Sequence, residues 1–373
     1  MTRVAMITSG AYSVANFRGT LIKDLVARGV EVFALAPDWS ETTRVATRAL
    51  GAHPVDVSLS RTGLNPVRDL FDIFKLRAVL RALRPAATLT YFAKPNVYGT
   101  LASWLARVPR RVAMVEGLGF AFDIRERSVK QTVLARVAKW LFRTAFRRAH
   151  LVLFLNKDDV AFFLQNRLVQ QGKVRNIGAI GVDLREFSAT DPVSDPISFL
   201  LMARLLRGKG ILEYAEAAQR IRREHPDARF LLLGDVDANP ESMQASEIMP
   251  WVECGAIEWW GHVDDVRSTL AGASVFVLPA WAREGLPRST QEAAAMAKPI
   301  ITTDVVGCRD TVIDGENGLM IPPRDVDALV GAMKRFIEQP DLIATMGRAN
   351  RRFAEEHYDG RRKSADIADM LVG

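Results

Sequence analysis

Cysteine is scarce in this chain of 373 residues, with only Cys254 and Cys308 present. Two such residues cannot build a disulfide framework, and their spacing fits no zinc site, so a reducing compartment is expected. The five histidines are scattered and suggest no metal cluster. No apolar run approaches the ~18 residues of a spanning helix. The N-terminus enters a strand-like segment at residues 4–7 without the layout of a secretory leader. A cytoplasmic location is the expectation. A G-x-G-x-x-G turn is missing after the first strand-like segment, and no acid clearly ends the second, which disfavours a dinucleotide-binding dehydrogenase.

What is present reads as an ordinary globular protein, 49 % apolar and 25 % charged, long enough for two domains. The net charge of +7 is unevenly spread. Residues 1–190 carry 29 Lys and Arg against 14 Asp and Glu, a net +15; residues 191–373 carry 21 against 29, a net −8. A basic half joined to an acidic half points to an anionic surface or ligand, with nucleic acid and anionic lipid both candidates at this level.

Strand-like and helical segments alternate along the chain. The first half reads as strands at 4–8, 32–36, 52–57, 87–91, 111–115 and 151–155, with helices near 17–27, 66–83, 96–106 and 129–148. A stretch rich in Asp and Pro, 190–196, has linker composition. The pattern then restarts, with strands at 197–202, 230–233, 257–260, 274–278, 299–303 and 318–321, and a helical tail broken near 339–340 and 360. The expected fold is α/β, with two doubly wound, Rossmann-like parallel-sheet domains facing each other across a cleft. The expected boundaries are 1–190, 191–357, and a last helix, 358–373, crossing back to the first domain.

The stretch 283–299, REGLPRSTQEAAAMAKP, organises the rest. It follows a buried strand and contains a helix start at about residues 287–290. Ligands of open α/β sheets bind at the carboxyl ends of strands, and a helix N-terminus offers N–H groups and a positive dipole end to an anion. Glu284 stands in the loop and Glu292 about one turn into the helix. An anion cradle with an acid on each side has the shape of a sugar nucleotide's binding site: sugar hydroxyls, diphosphate, ribose hydroxyls.

This E-G-L-P-x4-E-A element resembles the E-x7-E signature of retaining GT-B glycosyltransferases of family 4. The resemblance implies that Glu284 contacts the donor sugar and Glu292 the ribose. Ala203-Arg-Leu-Leu-Arg-Gly-Lys-Gly210 resembles the family's G-R-x4-K-G element, with Ala203 in place of the usual Gly, and implies that Arg204 and Lys209 grip the donor diphosphate. Fixed cations suit a leaving group whose negative charge grows as the glycosidic bond breaks. No Asp-x-Asp metal triplet is expected beside that diphosphate, so the two cations stand in for Mg²⁺ and no metal or other cofactor is required. Glu284, Arg204 and Lys209 are thus the catalytic candidates. The loops at Gly234 and at Gly261, His262 and Val263 resemble those facing the base, with His262 shaping the pocket. The backbone of Gly285, Leu286, Pro287, Arg288 and Ser289 is expected to hold sugar and diphosphate, with Gly10 the first-half residue on the donor side.

The first domain is expected to bring the acceptor through Asn16, Arg18, Lys94, Asn96 and Glu116. Arg18 and Lys94 would suit an acceptor diphosphate. Glu116 either orients or deprotonates an acceptor hydroxyl, or braces its loop. The motifs at 60–66, 115–119 and 237–240 resemble one bacterial subgroup that adds N-acetylgalactosamine, α-1,3, to an undecaprenyl-diphosphate-linked amino sugar. The partners this implies are a UDP-sugar and a polyprenyl-diphosphate-linked sugar, and no nucleic acid. The alternatives are a related enzyme of lipopolysaccharide, capsule or exopolysaccharide synthesis using another UDP-hexose, and a non-catalytic nucleotide-sugar-binding protein.

Residues 129–148 form a basic amphipathic helix, with Val133, Leu134, Val137, Trp140 and Leu141 on one side and Arg136, Lys139, Arg143 and Arg147 on the other. It either faces the core or lies in a lipid interface. The second option would make the protein peripheral on the cytoplasmic face of the inner membrane.

Overall fold

The computed structural model describes residues 1–59, 66–117, 129–237, 239 and 241–373. Residues 60–65 of the 60–66 motif, 118–120 of the motif after Glu116, and 238 and 240 of the 234–240 loop lie outside the described residues. The chain divides into two units: residues 1–180 with 360–373, and residues 181–359.

The first unit runs β1 (Arg3–Ile7), α1 (Tyr12–Ala27), β2 (Glu31–Ala36), α2 (Glu41–Ala49), β3 (Ala52–Asp56), α3 (Pro66–Leu83) and β4 (Ala87–Tyr91). The π-helix Pro95–Gly99 then passes into α4 (Thr100–Leu105). β5 (Arg110–Val115), α5 (Val129–Arg148), β6 (Leu151–Phe154), α6 (Lys157–Gln165) and β7 (Val174–Asn176) follow. Its seven strands lie in the order β3-β2-β1-β4-β5-β6-β7, and each pairing is parallel. Parallel strands covered on both faces need continuous apolar runs, and β4 is buried along its whole length. Side chains alternate across β1. Ala5 and Ile7 join Ile73, Leu76, Val97, Phe142 and Phe146 on one face. Val4 and Met6 join Leu21, Ile22 and Leu25 of α1 on the other.

The second unit runs β8 (Ser198–Met202), α7 (Ile211–Glu224), β9 (Arg229–Leu233), α8 (Ala245–Glu253), β10 (Glu258–Trp259), α9 (Arg267–Gly272) and β11 (Val275–Leu278). α10 (Arg288–Ala295), β12 (Ile300–Thr303), β13 (Gly318–Ile321), α11 (Val326–Glu338) and α12 (Asp341–His357) complete it. Its strand order is β10-β9-β8-β11-β12-β13, again parallel throughout. The last helix, α13 (Gly360–Val372), belongs to the first unit. It packs on α1, and Ile367, Ala368 and Leu371 enter the first unit's core. Among the described residues no helix is long and apolar enough to cross a membrane.

The units part after Ile180, ten residues before the boundary expected from composition. Hydrogen bonding decides this. Gly181 N donates to Gln291 Oε1 (3.0 Å) and Arg351 Nη1 to Phe187 O (3.0 Å), so residues 181–190 are bonded to the second unit. α5 also departs from the core-facing option. Its buried residues are Ala135, Phe142, Ala145 and Phe146, whereas Val133, Val137 and Trp140 are exposed. Lys139 and Arg143 are tied to α6's end, at Asn166 Oδ1 (2.6 Å) and at the carbonyls of Asn166 and Arg167 (both 2.9 Å).

Candidate active site

In the second unit the strand order reverses between β8 and β11, and ligands of open α/β sheets sit at the carboxyl end of such a reversal. The loops that follow these two strands are laced together there. Gly208 O accepts from Trp281 N (2.9 Å) and Ala282 N (3.1 Å). A Cβ on Gly208 would come within 2.6 Å of Ala282 Cβ. Gly210 has φ +76°, and a Cβ there would stand 2.0 Å from Pro279 O. Only glycine permits this approach. Lys209, held between the two glycines, donates from Nζ to Glu284 Oε1 at 2.5 Å.

The Glu284 loop is supported from a third side. Glu284 N donates to Val306 O (3.0 Å), and Gly307, at φ +84°, lies so close that a Cβ would meet Glu284 O at 2.5 Å and Gly285 O at 2.7 Å. The neighbouring Cys308 is fully buried. Burial, with the Glu284 carboxylate adding, pushes its thiol up to about 12, which keeps it a neutral packing group. The sequence reading missed Val306 and Gly307; the available signal was an isolated glycine just beyond a strand.

α10 begins at Arg288, with no side chain capping its N-terminus, so its first N–H groups point outward unclaimed by the helix itself. Gln291 Nε2 and Thr290 Oγ1 donate back to the carbonyls of Leu286 and Pro287 and fix this turn. Gly285 and Pro287 are buried, and Leu286 and Ser289 half-buried. Glu292 accepts from Arg288 Nε at 2.8 Å. Burial pushes its carboxyl up, and the Arg288 guanidinium opposes that shift.

Arg204 lies half-exposed on the β8 loop and donates to Asp237 Oδ2 at 3.0 Å. This bears on the metal expectation. Asp235-Val236-Asp237 is an Asp-x-Asp triplet after all, and it stands beside Arg204. Its carboxylates are engaged locally: Asp235 Oδ1 accepts from Val236 N (2.7 Å) and Asp237 Oδ1 from Asn239 N (2.8 Å). Among the described residues no group of three His, Cys, Asp or Glu is placed to hold a metal ion. Gly234, at φ +141°, abuts Ala203 O, and its N–H donates to Gly261 O at 2.8 Å. The Gly234 and Gly261–Val263 loops therefore meet next to the Arg204 loop. His262 is exposed and faces Asp264 Oδ1 at 3.2 Å.

In the first unit the strand order reverses between β1 and β4. Gly10 occupies the β1 loop, where Asp38 accepts from Ala11 N (2.6 Å). Asn16 is exposed on α1 and donates to Tyr12 O (2.9 Å). Arg18 is buried, ion-paired with Glu116, and stacked 4.4 Å over the Tyr91 ring. Lys94 is paired with Asp69 at 3.1 Å, while Tyr98 Oη donates to the second Asp69 oxygen at 2.9 Å. Asn96 is buried, accepting from Thr90 Oγ1 (3.0 Å) and donating to Met114 O (2.7 Å). Arg18 and Lys94 thus each meet a carboxylate of their own unit.

Two doubly wound parallel sheets, each with its strand order reversing once, define the GT-B fold class. Comparison with known proteins supplies the family. The model of the Glycosyl transferase 4-like domain matches residues 14–178, and that of Glycosyl transferases group 1 matches residues 196–339. The chain belongs to these group 1, GT4-like glycosyltransferases. It is 29 % identical over 354 residues, covering 91 % of this chain and 90 % of the other, to the N,N'-diacetylbacillosaminyl-diphospho-undecaprenol alpha-1,3-N-acetylgalactosaminyltransferase of Campylobacter jejuni. It is 27 % identical, covering 74 % of this chain and 72 % of the other, to the UDP-Gal:alpha-D-GlcNAc-diphosphoundecaprenol alpha-1,3-galactosyltransferase of Escherichia coli. In fold it is similar to HepE of Anabaena, solved in complex with UDP-glucose. The TM-score is 0.80, with 17 % identity and 99 % coverage of both chains.

Proposed function

We propose that the protein transfers an N-acetylhexosamine, N-acetylgalactosamine first, from a UDP-sugar to a polyprenyl-diphosphate-linked saccharide during bacterial glycan assembly, with retention at the anomeric carbon. The meeting of Lys209 and Glu284 at the β8/β11 reversal carries this reading. An ammonium there faces the position of a leaving diphosphate, and a carboxylate beside it can accept the donor sugar's hydroxyls. Arg204 and the N-terminus of α10 add positive potential at the same place. Glu292, held by Arg288, suits a ribose. Glu284 binds sugar and is not a covalent nucleophile; the departing phosphate assists attack from its own face. On the acceptor side Glu116 orients the incoming hydroxyl and Arg18 positions Glu116 from behind. Lys94 and Asn96 shape the β4 loop, and Asn16 offers an exposed amide. A lipid-linked acceptor requires contact with the membrane that holds it. The two relatives named above, which carry undecaprenyl-diphosphate acceptors in their names, support the choice of acceptor class.

The test is UDP release over a panel of UDP-sugars and polyprenyl-diphosphate-linked acceptors, with the product's anomeric configuration read by NMR. Glu284→Ala and Lys209→Ala should each lose about 2–4 kcal/mol of transition-state stabilisation, the usual loss for one preorganised electrostatic contact. Turnover near wild type in either variant would sink the assignment. Activity should survive EDTA, because the cations do the work of a metal; loss of activity restored by Mg²⁺ would overturn that part. Nucleotide-sugar binding without UDP release on any pair would favour the non-catalytic alternative.

A further inference from the structure

The outer surface of the first unit carries an unusual combination of groups. On α3, Leu70, Phe71 and Phe74 are exposed; on α5, Val133, Val137 and Trp140 are exposed, each of the six by 47–60 %. Both helices follow a strand in the chain, and Leu70, Phe71 and Phe74 lie in the first half of α3 and Val133 and Val137 in the first half of α5, toward the carboxyl edge of the sheet, with Trp140 just past the middle of α5. The two helices flank and pack against the same π-helix, Pro95–Gly99, which makes the two apolar sets parts of one rim. Away from this rim, where α4 and α5 end, Trp104 is a further exposed ring with Arg148 4.2 Å above it.

Charge on this layer has one sign. The helices α3, α4 and α5 and the π-helix contain two acids, Asp69 and Asp72, and both are buried. Asp69 is spent on Lys94 and Tyr98, and Asp72 accepts from Ser58 Oγ at 2.5 Å. The same helices carry four basic residues on α3 and six on α5. Lys75 sits 4.6 Å over the Phe71 ring, and Arg136 and Arg147 are exposed. Aromatic and aliphatic side chains set among cations, with no exposed carboxylate on these helices among the described residues, match an anionic bilayer surface. There the rings enter the headgroup boundary and the cations meet phosphates. A second copy docking through the same rim would set positive charge against positive charge.

We infer that the α3/α5 rim is the membrane-docking surface of this protein, inserting Phe71, Phe74 and Trp140 into an anionic phospholipid leaflet. The inference deepens the proposed function. The rim lies at the same edge of the sheet as the loops of Lys94 and Glu116, so docking there would present a lipid-borne diphosphate sugar to those loops.

The test uses the full chain and vesicles of phosphatidylcholine with and without phosphatidylglycerol. Wild type should sediment with the anionic vesicles, less so as salt rises. The triple variant Phe71→Ser/Phe74→Ser/Trp140→Ser should lose roughly tenfold or more of that binding, while keeping the wild-type thermal transition and turnover on a geranyl-diphosphate-linked N-acetylhexosamine in solution. Its turnover on the undecaprenyl acceptor in vesicles should fall with binding. Vesicle binding by the variant equal to wild type overturns the inference. So does a wild-type dimer that the three substitutions dissolve without any vesicle binding in either form. Absence of turnover on every soluble acceptor would count against the glycosyl-transfer reading instead, and leaves the sedimentation result to decide this inference.

Discussion

Lys209, Arg204 and Arg288 stand at the second unit's switch point, and each is already matched: with Glu284, Asp237 and Glu292 respectively. An entering diphosphate therefore competes with carboxylates for these cations. The position that holds Glu284 in register is Gly307. Gly307→Ala should cost about 1–3 kcal/mol, because it adds a Cβ at positive φ against two carbonyl oxygens. The strain should displace the Glu284 loop and lower kcat. Assay and thermal unfolding of that variant check it, and unchanged kcat and stability would show that the loop is held otherwise. Arg18 illustrates what a single residue's type conceals. A basic side chain near a strand-end loop reads as an anion binder, yet its partner Glu116 lies 98 positions away, a relation no local pattern contains.

β4, β13 and α3 were legible, each falling where the sequence places it. α2 and α8 were not. α2 is mostly polar and rich in threonine, a weak helix former, and its start is marked only by the Ser40–Thr43 capping box. α8 contains Pro250, which argues against a helix in any sequence reading. On α5 the period was legible but the buried side was not, since Ala135 and Ala145 weigh little on a hydrophobicity scale while packing well against a sheet. Between α10 and β12 lies Lys298, buried, with its ammonium donating to Ala271 O (2.9 Å) and Asp191 O (3.5 Å). Burial lowers it from 10.5 to about 8. Between those values the unfolded chain holds the extra proton, so this residue's contribution to stability rises with pH across that window and is least favourable below it. The stability difference between wild type and Lys298→Met, measured by urea unfolding, should therefore shift in favour of wild type as pH climbs from about 8 to 10. A flat or falling difference would contradict the buried ammonium.

At the scale of the whole molecule, the C-terminal segment completes the N-terminal unit. Ile367 and Leu371 are core residues there. Arg110 Nε donates to Met370 O (2.9 Å) and Lys363 Nζ to Ile177 O (2.7 Å). Burial of two such aliphatic side chains is worth about 3–6 kcal/mol, a large share of a domain's usual net stability. Truncation after Asp359 should therefore lower the first unit's melting transition sharply, or abolish it, in calorimetry; a wild-type transition would mean that α13 is dispensable. The uneven charge of the chain also finds a place at this scale, because the basic first half contains the α3/α5 rim with its buried acids.

The sequence by itself determined the alternation of strands and helices, the division into two doubly wound halves and the residue types at the donor loops. Periodicity, chain punctuation and short motifs are local, and local patterns suffice for these. Tertiary structure alone decided which charges meet, where the first unit ends and which side of α5 faces water. Those outcomes depend on residues far apart in the chain being brought within a few ångströms, on glycines that let two loops touch, and on the competition among apolar faces for one core.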